Sequence, residues 1–214
     1  MAGSNPEATR LLQILDLLRQ GDPDPRPGLV YHDPWQLLVA TALSAQCTDA
    51  RVNQVTPRLF ARYPGPRELA AAAVADVEHE IRSIGLFRNK ARNLVAMATA
   101  VAERHGGVVP ADRAALEALA GVGRKTASVV LGQGFGVPAF AVDTHVGRVC
   151  ARLGFAPRAE PRAVEESITS LLAPSHWTAA HLLFIHHGRR TCAARKPDCL
   201  HCPLAALCPS AGKV

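Results

Sequence analysis

The sequence predicts an all-α protein. Strong helix formers dominate, and no stretch alternates apolar and polar residues with the two-residue period of a half-buried strand. Apolar residues recur instead at helical spacing behind capping residues. With 48% hydrophobic and 20% charged residues, the composition is that of an average globular chain and excludes the polar, highly charged signature of disorder. The 214 residues suit one large domain or two small ones.

Asn5-Pro6-Glu7 reads as an N-cap, a first-turn proline and a first-turn acid. Leu11, Leu12, Ile14, Leu15 and Leu18 follow at helical spacing, and Gly21 is the stop. Asp22 to Gly28, with three prolines, is a linker. Asp33-Pro34 opens a second helix, carried by Trp35, Leu37, Leu38 and Val39 to about Gln46. Further caps are expected at Thr48-Asp49, Asp76 and near Asp112, with breaks at Pro64-Gly65-Pro66, Gly85, Gly106-Gly107 and Pro157. The alanine run Ala70 to Ala73 is helix material. Helical patterns return over Arg124 to Phe135, Thr144 to Leu153, Pro161 to Leu172 and Thr178 to His187.

The longest apolar stretches, such as Leu37 to Leu43, fall well short of the roughly 20 residues that span a bilayer, so no membrane partner is expected. Met1 to Arg10 lacks the basic start, apolar run and cleavage site of a secretory signal, and the expected location is cytoplasmic. Basic residues outnumber acidic ones by 24 to 18, a net charge of +6 with pI about 9.3. That balance favours a polyanionic partner such as nucleic acid without requiring one.

Six cysteines are unevenly spread. Cys47 and Cys150 stand alone and read as small core residues, while Cys192, Cys199, Cys202 and Cys208 crowd into the C-terminal part of the chain. In a reducing compartment a disulfide knot is disfavoured, and four crowded thiolates repel unless a cation absorbs their charge. Zinc and an iron-sulfur cluster both meet that need. The C-x6-C-x2-C-x5-C spacing has one short knuckle and two wider arcs, unlike the paired knuckles of structural zinc sites, and wraps a cubane more readily than one ion. His176, His181, His186, His187 and His201 are assigned no ligand role, because four thiolates already complete one site.

Gly121-Val122-Gly123-Arg124-Lys125 lies between two helical patterns. Two glycines one residue apart permit left-handed backbone and leave it bare, so the amides of Val122, Gly123 and Lys125 can point at a phosphate where the next helix begins. An ordinary helical hairpin would show the same glycines, but Arg124 and Lys125 tilt the reading toward DNA. Further on, Asp143 stands between apolar Ala141-Val142 and a new helix. Alone it reads as an N-cap, and beside a lysine and a Gly-x-Gly hairpin it becomes a candidate acid.

The chain resembles the endonuclease III branch of the helix-hairpin-helix DNA glycosylases. The likeness is carried by Ser44-Ala45-Gln46-Cys47-Thr48-Asp49, Ser83-Ile84-Gly85-Leu86-Phe87-Arg88-Asn89-Lys90-Ala91, Leu119 to Ala127, Val142-Asp143-Thr144-His145 and the cysteine spacing, in order, from about residue 10 to 210. The resemblance implies two helical lobes: a six-helix barrel domain with the hairpin over 30–138, and an iron-sulfur cluster domain from 1–29 and 139–214. Double-stranded DNA carrying damaged pyrimidines or abasic sites would lie across the groove between them, bound by a monomer working in the cytoplasm at the nucleoid. It also implies that the four C-terminal cysteines hold a 4Fe-4S cluster, with Arg195 and Lys196 presented to phosphates.

By the same resemblance Lys125 is the nucleophile and Asp143 assists it. An amine attacking C1′ must be neutral, whereas a free lysine, pKa about 10.4, is almost wholly protonated at neutral pH. Burial and a helix N-terminus favour the neutral amine and a nearby carboxylate opposes it, so the net shift stays open. Asp143 would accept a proton from Lys125 or stabilise charge developing on the sugar. The Schiff base formed when the base leaves acidifies the 2′ proton and permits elimination of the 3′ phosphate. The related adenine glycosylases generally lack this lysine, so Lys125 argues against adenine removal. Turning a nucleotide out of the stack leaves a gap; the resemblance implies that Gln46 fills it and Leu86 wedges into the other strand. Gly121, Gly123 and Arg124 join them as DNA contacts, and Asp49 and His145 line the base pocket. Ala120 departs from a proline common in relatives and Gly147 from a bulkier residue, which puts substrate range and rate in question. Two other readings stand beside this one: a cluster-containing DNA-binding protein with little catalysis, and a zinc-stapled nucleic-acid adaptor.

Overall fold

The computed structural model describes residues 5–214; residues 1–4, part of the segment read for a signal and assigned to the cluster domain, lie outside the described residues. Among the described residues there is no strand, and no helix is long and apolar enough to cross a membrane. The protein is all-α. The chain separates into two compact units, one of Pro27–Val137 and one combining residues up to Arg26 with Pro138–Val214.

In the unit Pro27–Val137 the helices are α2 (Pro34–Leu43), α3 (Asp49–Arg62), α4 (Pro66–Ala70), α5 (Val74–Ile81), α6 (Phe87–Arg104), α7 (Arg113–Glu117) and α8 (Arg124–Val129), the last running into a π-turn over Val130–Gly134. The caps act as the sequence predicts. Asp33 accepts from the Gln36 amide, Thr48 from Arg51 and Asp112 from Ala115. The core is built from Leu37 and Leu38 of α2, Val52 and Leu59 of α3, Val77 and Ile81 of α5, and Leu94, Met97 and Val101 of α6, all buried.

Four expectations are corrected here. α2 stops at Leu43 rather than about Gln46, because Gln46 takes a left-handed backbone that no α-helix tolerates. Asp76 is a first-turn acid of α5, whose N-cap is Ala73. The alanine run is not continuous helix: α4 ends at Ala70 and α5 starts at Val74, so that Leu69 of the first and Val77 and Ile81 of the second are all buried with both helices packed on α6. Tertiary packing overrides propensity at that bend. Cys47 is half-buried in a turn and not a core residue.

The other unit contains α1 (Pro6–Gly21), α9 (Thr144–Arg152), α10 (Pro161–Leu171) and α11 (Trp177–Arg190). Leu11, Ile14, Leu15 and Leu18 of α1 meet Val146, Val149 and Cys150 of α9, Val164 and Ile168 of α10 and Phe184 of α11 in one apolar cluster. Leu12, expected on that stripe, is 41% exposed. Cys150 is fully buried as expected, and burial pushes its thiol up. Arg10 fastens α1 to this unit: its guanidinium donates to the carbonyls of Leu153 (2.8 Å) and Leu207 (3.2 Å) and lies over the Phe155 ring.

Candidate functional site

Within the unit Pro27–Val137, three turns carry the residues singled out by sequence. In the first, the Val122 amide donates to the Leu119 carbonyl at 3.1 Å and Gly121 has φ +76, which makes Leu119–Val122 a type II turn with its left-handed residue in third place. A Cβ at Gly121 would also stand 3.0 to 3.3 Å from side-chain atoms of Asn93 on α6. Gly123 caps α8 with an extended backbone, and a Cβ there would meet nothing within 4 Å. Among the described residues nothing demands glycine at 123, so its bareness suits a partner approaching from outside. Val122 is corrected: its amide closes the turn and its side chain is buried, so it anchors the hairpin and does not offer a donor outward. Arg124 is exposed at the start of α8, and half-buried Lys125 follows it.

The second turn repeats the first. The Cys47 amide donates to the Ser44 carbonyl at 3.0 Å, with Gln46 in third place at φ 54. Gln46 is exposed, and Asp49 begins α3 half-buried. The third is the entry to α6, where Leu86 occupies the N-cap with φ 58 and is 60% exposed. Among the described residues the non-glycine residues with left-handed backbone are Gln46, Leu86 and Lys196. All three are residues that the resemblance implies as DNA contacts. Such backbone costs about 1 to 3 kcal/mol and concentrates at functional sites.

Sequence reasoning missed Lys90, which is only 8% exposed although it is a lysine. Its Nζ donates to the carbonyls of Leu43 (2.9 Å) and Ala45 (2.7 Å). Burial pushes its ammonium below the usual lysine range, with the Cys47 thiol nearby acting the other way. A lysine four residues after an exposed leucine gives no hint of this in sequence, because both its acceptors lie more than forty positions away.

In the other unit Asp143 is the N-cap of α9. Its Oδ1 accepts from the amides of His145 and Val146, both at 2.8 Å, which fixes the carboxylate's direction. Lys125 and Asp143 belong to different units. His145 is half-buried, and its Nδ1 accepts from Arg148 at 3.1 Å. Arg148 and Arg152, also missed, sit one turn apart on α9 and reach the cysteine loop. Arg148 donates to the carbonyls of Cys192 (3.0 Å) and Gly188 (2.7 Å), and Arg152 to the Cys192 sulfur (3.3 Å) and the carbonyls of Ala193 (2.7 Å) and Ala194 (3.1 Å). Two arginines at i and i+4 on a short helix were the available signal. Gly147 is explained by packing: a Cβ there would stand 3.1 Å from the Ala159 carbonyl oxygen, so this departure admits the chain before α10 and opens no pocket.

The four C-terminal cysteines line one cavity together with Arg152, His187, Leu204 and others. Burial pushes the Cys202 thiol up, and the thiols of Cys192, Cys208 and Cys199 add to the effect. The Cys202 sulfur lies 3.8 Å from Nε2 of His187, whose imidazole is held neutral by burial, its pKa pushed down to about 4. Among the described residues no three His, Cys, Asp or Glu side chains are drawn together closely enough to hold one metal ion. Arg195 and Lys196, in the loop between Cys192 and Cys199, are exposed.

The chain is similar to known proteins over nearly its whole length. Residues 39–174 match the HhH-GPD superfamily of base excision DNA repair proteins. Endonuclease III of Synechocystis sp. is 46% identical over 99% of this chain and 95% of its own length, and that of Escherichia coli K12 is 44% identical over 95% and 96%. A solved non-covalent endonuclease III–DNA complex superposes with a TM-score of 0.91 at 44% identity, covering 96% of this chain and 97% of that one. A trapped endonuclease III–DNA covalent intermediate gives the same figures. The chain belongs to the endonuclease III family of helix-hairpin-helix base excision repair proteins.

Proposed function

We propose that this chain excises oxidised pyrimidines from duplex DNA and then cuts the strand at the abasic site, with Lys125 as nucleophile and Asp143 as the acid-base group. In its broader class it is a DNA glycosylase and abasic-site lyase of base excision repair. The lysine assignment is carried by position. Lys125 is the second residue of the helix that follows the glycine turn, in a chain 44% identical to a protein trapped covalently on DNA.

The C–N bond from Nζ to C1′ forms as the glycosidic bond to the base breaks, and opening of the sugar leaves an imine. Loss of a 2′ proton then expels the 3′ phosphate. Asp143, with Oδ1 held by two amides, is directed for proton transfer or for stabilising positive charge on the sugar. Gln46 and Leu86 take the space left when the nucleotide leaves the stack: one is an exposed amide, the other an exposed alkyl group, each on a strained turn. Arg124, Gly121 and Gly123 at the hairpin, and Arg195 and Lys196 beyond Cys192, face phosphates. Asp49 and His145 are assigned to the base pocket.

Cys192, Cys199, Cys202 and Cys208 fit a 4Fe-4S cluster better than zinc. They line one cavity, and their C-x6-C-x2-C-x5-C spacing, with one short knuckle and two wider arcs, suits a cubane better than a single tetrahedral ion. These four thiolates would hold such a cluster, which would then staple the loop that carries Arg195 and Lys196. A purified protein that is colourless and zinc-loaded would overturn this assignment.

The test is borohydride trapping on a duplex with one oxidised pyrimidine. The wild-type chain is expected to give a covalent adduct and a cut strand, and Lys125→Ala to lower both by about 10³-fold or more. Full trapping by Lys125→Ala would remove the nucleophile assignment. Trapping at abasic sites but not at oxidised pyrimidines would remove the lesion class, and tight binding without an adduct would favour a non-catalytic DNA-binding protein.

A further inference from the structure

Helix α6 touches each of the three turns that carry Gln46, Leu86 and Gly121. Its N-cap is Leu86 itself, and the Lys90 amide donates to the Leu86 carbonyl at 3.0 Å. The Lys90 side chain crosses to the Leu43 and Ala45 carbonyls, and the position a Cβ would take on Gly85 is 4.0 Å from the Gln46 carbonyl oxygen. One turn farther along α6, Asn93 packs beneath Gly121. A small cavity lined by Ala42, Leu43, Lys90, Asn93, Ala120 and Gly121 joins these contacts.

A buried ammonium is costly unless its donors are used, and a methionine of similar length would fill the space without that cost. What a methionine lacks is donors. The Leu43 carbonyl is the last of α2, where the helix dipole favours a cation, and the Ala45 carbonyl belongs to the residue before strained Gln46. Left-handed backbone at a glutamine persists only where its surroundings over-determine it. Lys90 supplies that constraint from the same helix whose first turn carries Leu86.

We propose that Lys90 is a positioning residue that clamps the 44–47 turn to α6, so that Gln46 and Leu86 enter DNA as one rigid pair. The proposal rests on the reading of those two residues as the groups that replace an extruded nucleotide. Lys90 therefore serves extrusion and has no part in bond-making at Lys125.

Two measurements on full-length Lys90→Met, with Lys90→Arg as the donor-retaining variant, test this. By hydrogen exchange without DNA, amides 45–47 are expected to exchange about tenfold faster in Lys90→Met, with the rest of α6 and the hairpin unchanged. Single-turnover excision from duplex should fall about 10- to 100-fold, as expected of a small misplacement. Imine trapping at an abasic site in a single strand, where no base need leave a stack, should be essentially unchanged. Lys90→Arg should recover part of the duplex rate. Unchanged exchange at 45–47, or equal slowing on both substrates, would overturn the proposal. If Lys90→Met does not fold, exchange and the two rates are read in Lys90→Arg, where an unaltered turn with equally slowed reactions counts against it. A wild-type chain inactive on both substrates would remove the repair reading instead, while the exchange comparison would still decide whether Lys90 holds the turn.

Discussion

The turns Leu119–Val122 and Ser44–Cys47 share a hydrogen bond and a left-handed third residue, but one places glycine there and the other glutamine. Glycine leaves the backbone relaxed and bare, as suits a surface that a phosphate approaches. Glutamine accepts strain in order to project a side chain, and needs a second group, the Lys90 ammonium, to hold the turn. Leu86 and Lys196 share the left-handed backbone of Gln46 and are likewise exposed, so in this chain left-handed backbone at a non-glycine residue marks a side chain that is presented.

Gly121→Ala should break the relaxed turn most severely. A methyl group there meets both the left-handed φ and the Asn93 side chain, and the expected loss is about 2 to 3 kcal/mol. At about 2 to 4 °C per kcal/mol for a chain of this size, thermal melting would fall by roughly 4 to 12 °C, together with weaker DNA binding. A melting temperature unchanged by this substitution would mean that the turn does not need glycine.

Gln46→Gly is the opposite experiment. Removing the strain should hold stability or raise it by up to about 1 kcal/mol, while excision from duplex DNA falls about tenfold or more. Loss of stability as large as that of Gly121→Ala would erase the distinction between the two turns. A full excision rate would show that the side chain is not what the strain maintains.

Local features were legible in the sequence because they are local. Asn5, Asp33, Thr48, Asp112 and Asp143 each accept from an amide two or three residues ahead, a range that a cap motif encodes directly. The cysteines that share a cavity were legible through their spacing. Lys90, Arg148 and Arg152 were not, since their acceptors lie about forty residues away and their role depends on which helix face the fold buries. Gly147 illustrates the same limit. Its helix cost was visible, whereas the Ala159 carbonyl that makes a side chain there unwelcome was not.

The smallest expected effect concerns Ala120, second in the type II turn. That place favours proline, whose fixed φ of about −65° matches the turn, and its amide takes no part in the closing Val122-to-Leu119 bond. Ala120 also lines the small cavity beneath the hairpin. Ala120→Pro should therefore stabilise the chain by about 0.4 to 1 kcal/mol through the unfolded state, seen as a melting increase of a few degrees, with excision unchanged. The corresponding Ala45→Pro in the strained turn should not reproduce this gain, since Ser44 before it has helical backbone (φ −72, ψ −11), which a following proline disfavours. Equal stabilisation by both prolines would mean that Ser44 does not need the helical backbone it has at the end of α2.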